Sequence, residues 1–131
     1  MLLDTSGLLC FFDASDWRHA EAVALFQSAR VLLTHDYVLA EFVPLSQSRG
    51  LNREQTLSFI RDLLESPLVE VIWTGAEMYR RAIELLGQRL DKTYSLCDAV
   101  SFLLMRDRQI SEALTTDRHF AQEGFTRLLQ P

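Results

Sequence analysis

Lysine is nearly absent from this chain, and other features that define common functional classes are missing too. The 131 residues include a single lysine, Lys92, so almost all of the positive charge is arginine. The formal net charge is −5, which argues against a broad basic surface for nucleic-acid phosphates. The two cysteines, Cys10 and Cys97, form no CxxC pattern and are interpreted as reduced core residues. The fold must therefore rest on an ordinary hydrophobic core, without disulfides or structural zinc.

Long apolar runs and targeting signals are also missing. The longest apolar stretch, from Leu96 to Met105, is interrupted by Asp98 and is too short to span a membrane. The N-terminus lacks a basic stretch followed by an apolar segment and a cleavage site, so no signal peptide is predicted. A glycine-rich phosphate loop is missing as well, which excludes the usual nucleotide-binding motifs. We expect a cytoplasmic protein that does not associate with membranes.

What is present is a series of short apolar runs that alternate with amphipathic helices. The length predicts one domain, residues 1–131, without linkers or repeats. Strands are predicted at 1–4, 31–34, 68–73, 112–116 and 125–129. Helices are predicted at 16–29, 36–47, 52 to the break at Pro67, 74–90, 95–107 and 118–122, with caps at Asp16, Asp36, Asn52, Thr74 and Ser95. This alternation predicts an α/β fold in which a parallel sheet of about five strands has helices on both faces.

Four carboxylates stand where apolar segments meet turns or helix ends. Asp4 and Asp117 directly follow predicted strands, and ligands bind outside the carboxyl ends of parallel strands. Glu41 and Asp98 lie in helices that follow loops. No lysine or arginine stands beside these acids in an obvious pairing pattern. If the acids converge they would repel one another unless a divalent cation neutralises them, so a metal-dependent reaction is the first hypothesis.

Each acid also has a purely structural interpretation. Asp4 and Asp117 are suitable helix caps, and Asp98 lies three residues after Ser95, as in a capping box. Glu41 by itself is most simply a solvated glutamate. The apolar surroundings of Asp98 favour a functional role, because a buried acid needs a partner. The set of four is therefore a stronger signal than any member.

Histidines and tryptophans are given structural roles. His19 and His35 have no partner at metal-ligand spacing and are predicted on the surface or in loops. His119 follows Asp117 closely, so it could contact a phosphate, but a packed or exposed residue is the simpler interpretation. Trp17 and Trp73 are predicted to be core or interface residues, as are Phe11 and Phe12, rather than a platform for stacked bases.

Four short motifs resemble those of the PIN-domain proteins, specifically the VapC-type toxin ribonucleases. The resemblance covers essentially the whole chain, and its motifs appear in the family's order. They are Leu3-Asp4-Thr5-Ser6, Glu41-Phe42, Ser95-Leu96-Cys97-Asp98-Ala99 and Thr115-Thr116-Asp117-Arg118-His119-Phe120, followed by Gly124-Phe125.

The resemblance implies a three-layer α/β/α fold with an acidic pocket that binds Mg²⁺ or Mn²⁺ and cuts RNA phosphodiesters. Asp4 and Asp98 would be the main metal ligands, and Glu41 and Asp117 would complete the pocket. The hydroxyls of Ser6 and Thr115 would orient carboxylates or waters. The resemblance also implies a homodimer and a small antitoxin that covers the active site.

Other functions with acidic pockets fit less well. An aspartyl phosphatase that resembles the haloacid-dehalogenase family needs a second aspartate two residues after Asp4, where this chain has Ser6. A signalling receiver needs a lysine late in the chain, but Lys92 follows a predicted helix. Two alternatives stay open at this point: a PIN-like binding subunit, and an RNA-processing nuclease outside a toxin–antitoxin pair.

Overall fold

Five short strands form a parallel sheet at the centre of the computed structural model, which describes residues 1–131. The strands are β1 (Leu2–Leu3), β2 (Leu32–His35), β3 (Val69–Ile72), β4 (Glu112–Leu114) and β5 (Thr126–Arg127). Their order across the sheet is β3-β2-β1-β4-β5, and every neighbouring pair is parallel. The central strand β1 is paired through Leu2 to Leu33 on one side and Ala113 on the other. The parallel five-stranded sheet is confirmed.

Seven helices cover the two faces of this sheet. They are α1 (Thr5–Phe12), α2 (His19–Ser28), α3 (Asp36–Ser48), α4 (Arg53–Glu65), α5 (Ala76–Gly87), α6 (Leu96–Asp107) and α7 (Arg118–Gln122). Side chains alternate along a strand, so Leu3 and Leu114 pack with α1 to α4, while Leu2 and Ala113 pack with α5 to α7. Both faces are buried, as parallel sheets require, and the three-layer α/β/α architecture is confirmed.

Helix α1 was not predicted, although it begins directly after Asp4. Its apolar run, Leu8 to Phe12, is buried or partly buried throughout, so it has no polar face that would reveal a helical period. Gly7 allows the helix to lie against β4, because a Cβ at this position would stand 1.9 Å from the carbonyl oxygen of Leu114. The helix therefore starts at the edge of the sheet, with Asp4 as its N-cap.

Two of the predicted caps are confirmed by side-chain hydrogen bonds. Asn52 Oδ1 accepts from the Gln55 N–H at 2.9 Å and caps α4. Ser95 Oγ accepts from the Asp98 N–H at 3.0 Å and caps α6. The predicted break at Pro67 is also consistent with the end of α4 at Glu65.

The other three predicted caps, at Asp16, Asp36 and Thr74, are wrong because their side chains bind elsewhere, and His35 is the N-cap of α3. Asp16 holds a turn by accepting hydrogen bonds from the backbone and guanidinium of Arg18, and α2 starts only at His19. Thr74 Oγ1 donates to Asp36 Oδ1 at 2.9 Å, which ties the end of β3 to the start of α3. Gly75 is the N-cap of α5 instead.

Residue environments correct the prediction for His35 and leave only the interface alternative for Trp17 and Trp73. His35 is fully buried, with Nε2 2.8 Å from Ser101 Oγ, so its assignment to a surface or loop is wrong. Burial lowers the pKa of His35 to about 4, and the ring is therefore neutral at ordinary pH. Trp17 and Trp73 are about two-thirds exposed, so neither is a core residue. None of the helices has the length and apolar character that crossing a bilayer would require.

Candidate active site

Asp4 is buried at the carboxyl end of β1, and two hydroxyls hold its carboxylate. Thr115 Oγ1 donates to Asp4 Oδ2 at 2.7 Å, and Ser6 Oγ donates to the same oxygen at 3.1 Å. Burial raises the pKa of Asp4 to about 7; the hydroxyls oppose this rise, and the charge of Asp98 adds to it. Ser6 and Thr115, predicted from the resemblance as orienting hydroxyls, therefore both contact the first acid.

Asp98 lies in the first turn of α6, where the capping box fixes its carboxylate. The Ser95 N–H donates to Asp98 Oδ2 at 2.9 Å, reciprocating the bond from the Asp98 N–H to Ser95 Oγ. Burial raises the pKa of Asp98, and the charge of Asp117 raises it further, whereas Ser95 and His119 lower it. The capping role and the pocket role of Asp98 are therefore compatible, because the capping hydrogen bonds hold its carboxylate beside His119.

Asp117 is the N-cap of α7 and belongs to the loop after β4. Its Oδ1 accepts from the His119 N–H at 2.9 Å, and its own N–H donates to Thr115 Oγ1 at 3.0 Å. The Thr116 N–H donates to Ser6 Oγ at 3.0 Å. The strand β4 ends at Leu114, earlier than predicted, and this leaves the backbone of residues 115–117 free to make these bonds. The loop is therefore anchored to the hydroxyls that hold Asp4.

His119 is a member of the cluster that the sequence interpretation missed. Its Nδ1 lies 3.1 Å from Asp98 Oδ2 and 3.3 Å from Asp117 Oδ1, while Nε2 lies 2.9 Å from Thr93 Oγ1. The available signal was its position two residues after Asp117, which brings both side chains to the start of α7. His119 is also packed, since its ring centroid lies 5.2 Å from that of Tyr94, so the predicted packed histidine and the acid contacts occur together.

Glu41 approaches the same pocket from its exposed rim. It lies on α3, and its carboxylate is close to the buried thiol of Cys97, the residue before Asp98. Burial raises the pKa of Cys97, and the negative charges of Glu41, Asp4 and Asp98 raise it further. Side chains from the end of β1, α6 and the loop after β4 therefore come together, and Glu41 on α3 lies beside Cys97, the residue before Asp98.

The donor set fits a divalent cation. One ligand atom each from Asp98, Asp117 and His119 lie within 4.8 Å of one another. This spread is comparable with the roughly 4 Å that separates ligands on opposite sides of one Mg²⁺ ion. None of Asp4, Asp98 and Asp117 pairs with a lysine or arginine, and His119 is the basic side chain that contacts Asp98 and Asp117. Carboxylate oxygens suit hard ions, and a single imidazole is compatible with Mn²⁺.

Comparison with known proteins places this geometry in a family. A model of the PIN domain matches residues 1–125. The 23S rRNA-specific endonuclease VapC20 of Mycobacterium tuberculosis is 31% identical over 129 residues, which cover 98% of this chain and 97% of that protein. Ribonuclease VapC26 of the same organism is 32% identical over 124 residues, which cover 92% of this chain and 90% of VapC26.

The likeness extends to three dimensions. The crystal structure of Mycobacterium tuberculosis VapC20, described as a sarcin–ricin loop cleaving toxin, has a TM-score of 0.87 with this structure at 30% identity. The similarity covers 99% of this chain and 98% of that one. This protein therefore belongs to the PIN-domain family and, within it, to the VapC-type toxin ribonucleases.

Proposed function

We propose that this protein is an endoribonuclease that hydrolyses RNA phosphodiesters with Mg²⁺ or Mn²⁺, and that it acts as the toxin of a type II toxin–antitoxin pair. The observation that carries the proposal is the convergence of Asp4, Asp98 and Asp117 at one edge of the sheet without a lysine or arginine. Acids so arranged would repel one another, and a bound cation is the simplest source of the missing positive charge.

The proposed ligands are the four acids predicted from the sequence, and we include His119 beside them. Asp4, Asp98 and Asp117 would hold the cation with Glu41 at the rim, and His119 Nδ1 is placed to join Asp98 and Asp117. When bound, such an ion supplies a Lewis acid that lowers the pKa of a coordinated water and offsets charge on the phosphate oxygens.

The remaining contacts position these acids. The hydroxyls of Ser6 and Thr115 fix Oδ2 of Asp4, and the Ser95 N–H fixes Oδ2 of Asp98. Thr93 Oγ1 at His119 Nε2 would hold the imidazole in the orientation that presents Nδ1 to the acids. Fixed carboxylates of this kind do not need to reorganise when charge develops during the reaction.

The direct test is cleavage of RNA by the purified protein with Mg²⁺ or Mn²⁺, beside EDTA and the Asp98→Asn variant. Because VapC20 is named as a 23S rRNA-specific endonuclease, ribosomal RNA is the first substrate to test, within total cellular RNA. We expect discrete cutting that both controls abolish. Cutting that persists in EDTA would refute metal dependence, and cutting that persists in Asp98→Asn would remove Asp98 from the site.

The proposed protein partner is a small antitoxin that covers the acidic pocket. A basic side chain of the antitoxin, preferably an arginine, would supply the countercharge that the pocket lacks. Co-expression with the product of a neighbouring short reading frame should suppress cleavage and give a complex that co-purifies. Purified toxin that keeps full activity in that complex would contradict this partner assignment.

A homodimer is the proposed oligomeric state. Exposed apolar side chains support it: Trp17 lies in the turn before α2, Leu64 lies on α4, and Tyr79 and Ile83 lie one turn apart on α5. Light scattering should give twice the chain mass of 15.1 kDa. A monomer mass well above micromolar concentration would exclude the dimer.

A further inference from the structure

A polar cavity of about 330 Å³ lies directly beside the acidic pocket. Its lining consists of Thr116, Asp117, Arg118, Arg127 and Pro131. Asp117 belongs to both places, since its carboxylate contacts His119 in the acidic pocket while the residue also forms a wall of the cavity. A molecule that reaches the acids along this side therefore passes two arginines.

The guanidinium groups of these two arginines have no partner, whereas five other arginines in the chain form ion pairs. Ion pairs with aspartate or glutamate occupy Arg18, Arg81, Arg89, Arg106 and Arg108. Arg118 and Arg127 make no side-chain hydrogen bond and no ion pair, although both face one cavity next to a cluster of acids. Uncompensated positive charge placed together at this point is available for an anionic ligand.

Backbone pairing fixes the position of the cavity relative to the reacting centre. Arg127 lies on β5 opposite Ala113 of β4, and the Leu129 N–H continues the pairing by donating to the Thr115 carbonyl at 3.2 Å. Thr116, the next wall residue, donates its N–H to Ser6 Oγ, which in turn donates to Asp4. The cavity and the first acid are thus joined through one short network, so their separation is rigidly defined.

We propose that this cavity is a subsite for a backbone phosphate of RNA, adjacent to the phosphate that is cut, with Arg118 and Arg127 as its ligands. The inference rests on the proposed function. A chain with a net charge of −5 and an acidic reaction centre repels a polyanion, so it needs local positive charge to hold one. Guanidinium groups suit this task, because their donors match phosphate oxygens in pairs.

The test measures RNA binding separately from cleavage. A short fluorescein-labelled single-stranded RNA is titrated in EDTA, over a range of KCl concentrations, with the wild type, Arg118→Ala, Arg127→Ala and the double variant. The matched control is Arg61→Ala: Arg61 is also exposed and unpaired, but it lies on α4, which packs against β3 at the opposite edge of the sheet. Thermal unfolding of each variant verifies that it is folded.

We expect each cavity variant to raise the Kd about five- to tenfold, as the loss of one charged hydrogen-bonding contact would do. The slope of log Kd against log salt should fall by about 0.7 for each arginine removed, because one phosphate contact is lost. In cleavage assays the KM should rise while kcat stays close to the wild-type value. Arg127→Lys should retain part of the salt slope, whereas Arg61→Ala should change nothing.

If the cavity variants bind RNA as tightly as Arg61→Ala does, the phosphate subsite is refuted. A carboxylate-bearing protein partner is then the remaining candidate occupant of the cavity. The proposed function fails in a different way. Suppose the wild-type protein binds the RNA with the predicted arginine dependence but cuts no RNA. This result would support the subsite and refute the proposed nuclease activity.

Discussion

The carboxylate of Glu123 and the acids of the pocket lie at opposite ends of α7, and they differ in whether arginines offset their negative charge. At the C-terminal end, Glu123 accepts hydrogen bonds from Arg89 at 3.0 Å, from Tyr94 Oη at 3.0 Å and from Arg106. At the N-terminal end, the pocket acids receive only hydroxyls, backbone N–H groups and His119. Arginines therefore pair with the carboxylate at the C-terminal end of α7 but not with the acids at its N-terminal end.

The pKa values express the same difference. Burial raises the pKa of Glu123, but Arg89, Arg106 and Tyr94 outweigh it and hold the pKa below its ordinary value. At Asp4 burial dominates instead, and the pKa rises to about 7. We interpret a buried carboxylate with its countercharge as structural, and a buried carboxylate without one as a candidate ligand site. The comparison predicts that one type of substitution has opposite effects at the two ends.

The largest expected effect is the loss of activity in Asp4→Asn. The amide oxygen still accepts from Ser6 and Thr115, so the fold is retained, while RNA cleavage should fall at least about a hundredfold. In EDTA the variant should also be more stable than the wild type, by about 1–3 kcal/mol at pH 8, because a strained charge is removed. Cleavage and urea unfolding measure the two effects. Full activity in the variant would remove Asp4 from the mechanism.

Metal should reverse the repulsion in the pocket. A ligand that binds only the native state stabilises it by about 2.7 kcal/mol at a hundred times its Kd. We therefore expect Mg²⁺ or Mn²⁺ to raise the Tm of the wild type but not of Asp98→Asn. The Glu123→Gln variant is the matched control, and its Tm should rise with metal as in the wild type. Equal responses of all three proteins would contradict a site at Asp98.

The corresponding substitution at the other end, Glu123→Gln, should destabilise the protein. Its side chain is only 4% exposed, but Arg89 and Arg106 are about one-third exposed or more, so solvent screens part of the loss. We expect a decrease of about 2 kcal/mol in the free energy of unfolding, with cleavage retained while the variant is folded. Urea denaturation measures the free energy of unfolding. A gain in stability would contradict the predicted difference between Glu123→Gln and Asp4→Asn.

The smallest expected effect is a pH dependence of metal-free stability. The folded pKa of Asp4, about 7, lies above its unfolded value, so the native state binds more protons between those values. Lowering the pH from 7.5 to 6 in EDTA should therefore stabilise the wild type relative to Asp4→Asn, by roughly 1 kcal/mol. Urea unfolding of both proteins at each pH measures the difference. A difference that is constant across this range would show that Asp4 does not titrate there.

Sequence reasoning predicted the sheet and the meeting of the acids because both follow from local patterns. A short apolar strand followed by a carboxylate defines Asp4 and Asp117, and parallel strands bring such ends to one edge. Asp98 was predicted from its apolar surroundings, and the capping box, which was its structural alternative, is present as well. The roles of these acids in catalysis stay predictions, and the experiments above test them.

The elements that were missed depend on contacts between distant parts of the chain. Helix α1 has no polar face because its neighbours bury it on most sides, so its sequence has no helical period to detect. His35 is neutral because its burial in the core lowers its pKa, and its hydrogen-bond partner there is Ser101, 66 positions away. His119 acquires its environment from Asp98 and Thr93. Thr74 donates its hydroxyl hydrogen bond to Asp36 instead of capping the helix that follows it, because tertiary structure brings the two residues together.

The hydrogen bond from Thr115 to Asp4 joins residues that are 111 positions apart. The ribosome adds these two residues near the beginning and near the end of synthesis of this domain, and domains generally fold as units. A nascent chain carries Asp4 for almost its entire synthesis without the hydroxyl, the loop or the fourth acid that complete the site. For the proposed nuclease we therefore expect no cleavage by a nascent chain until the last strand is in place.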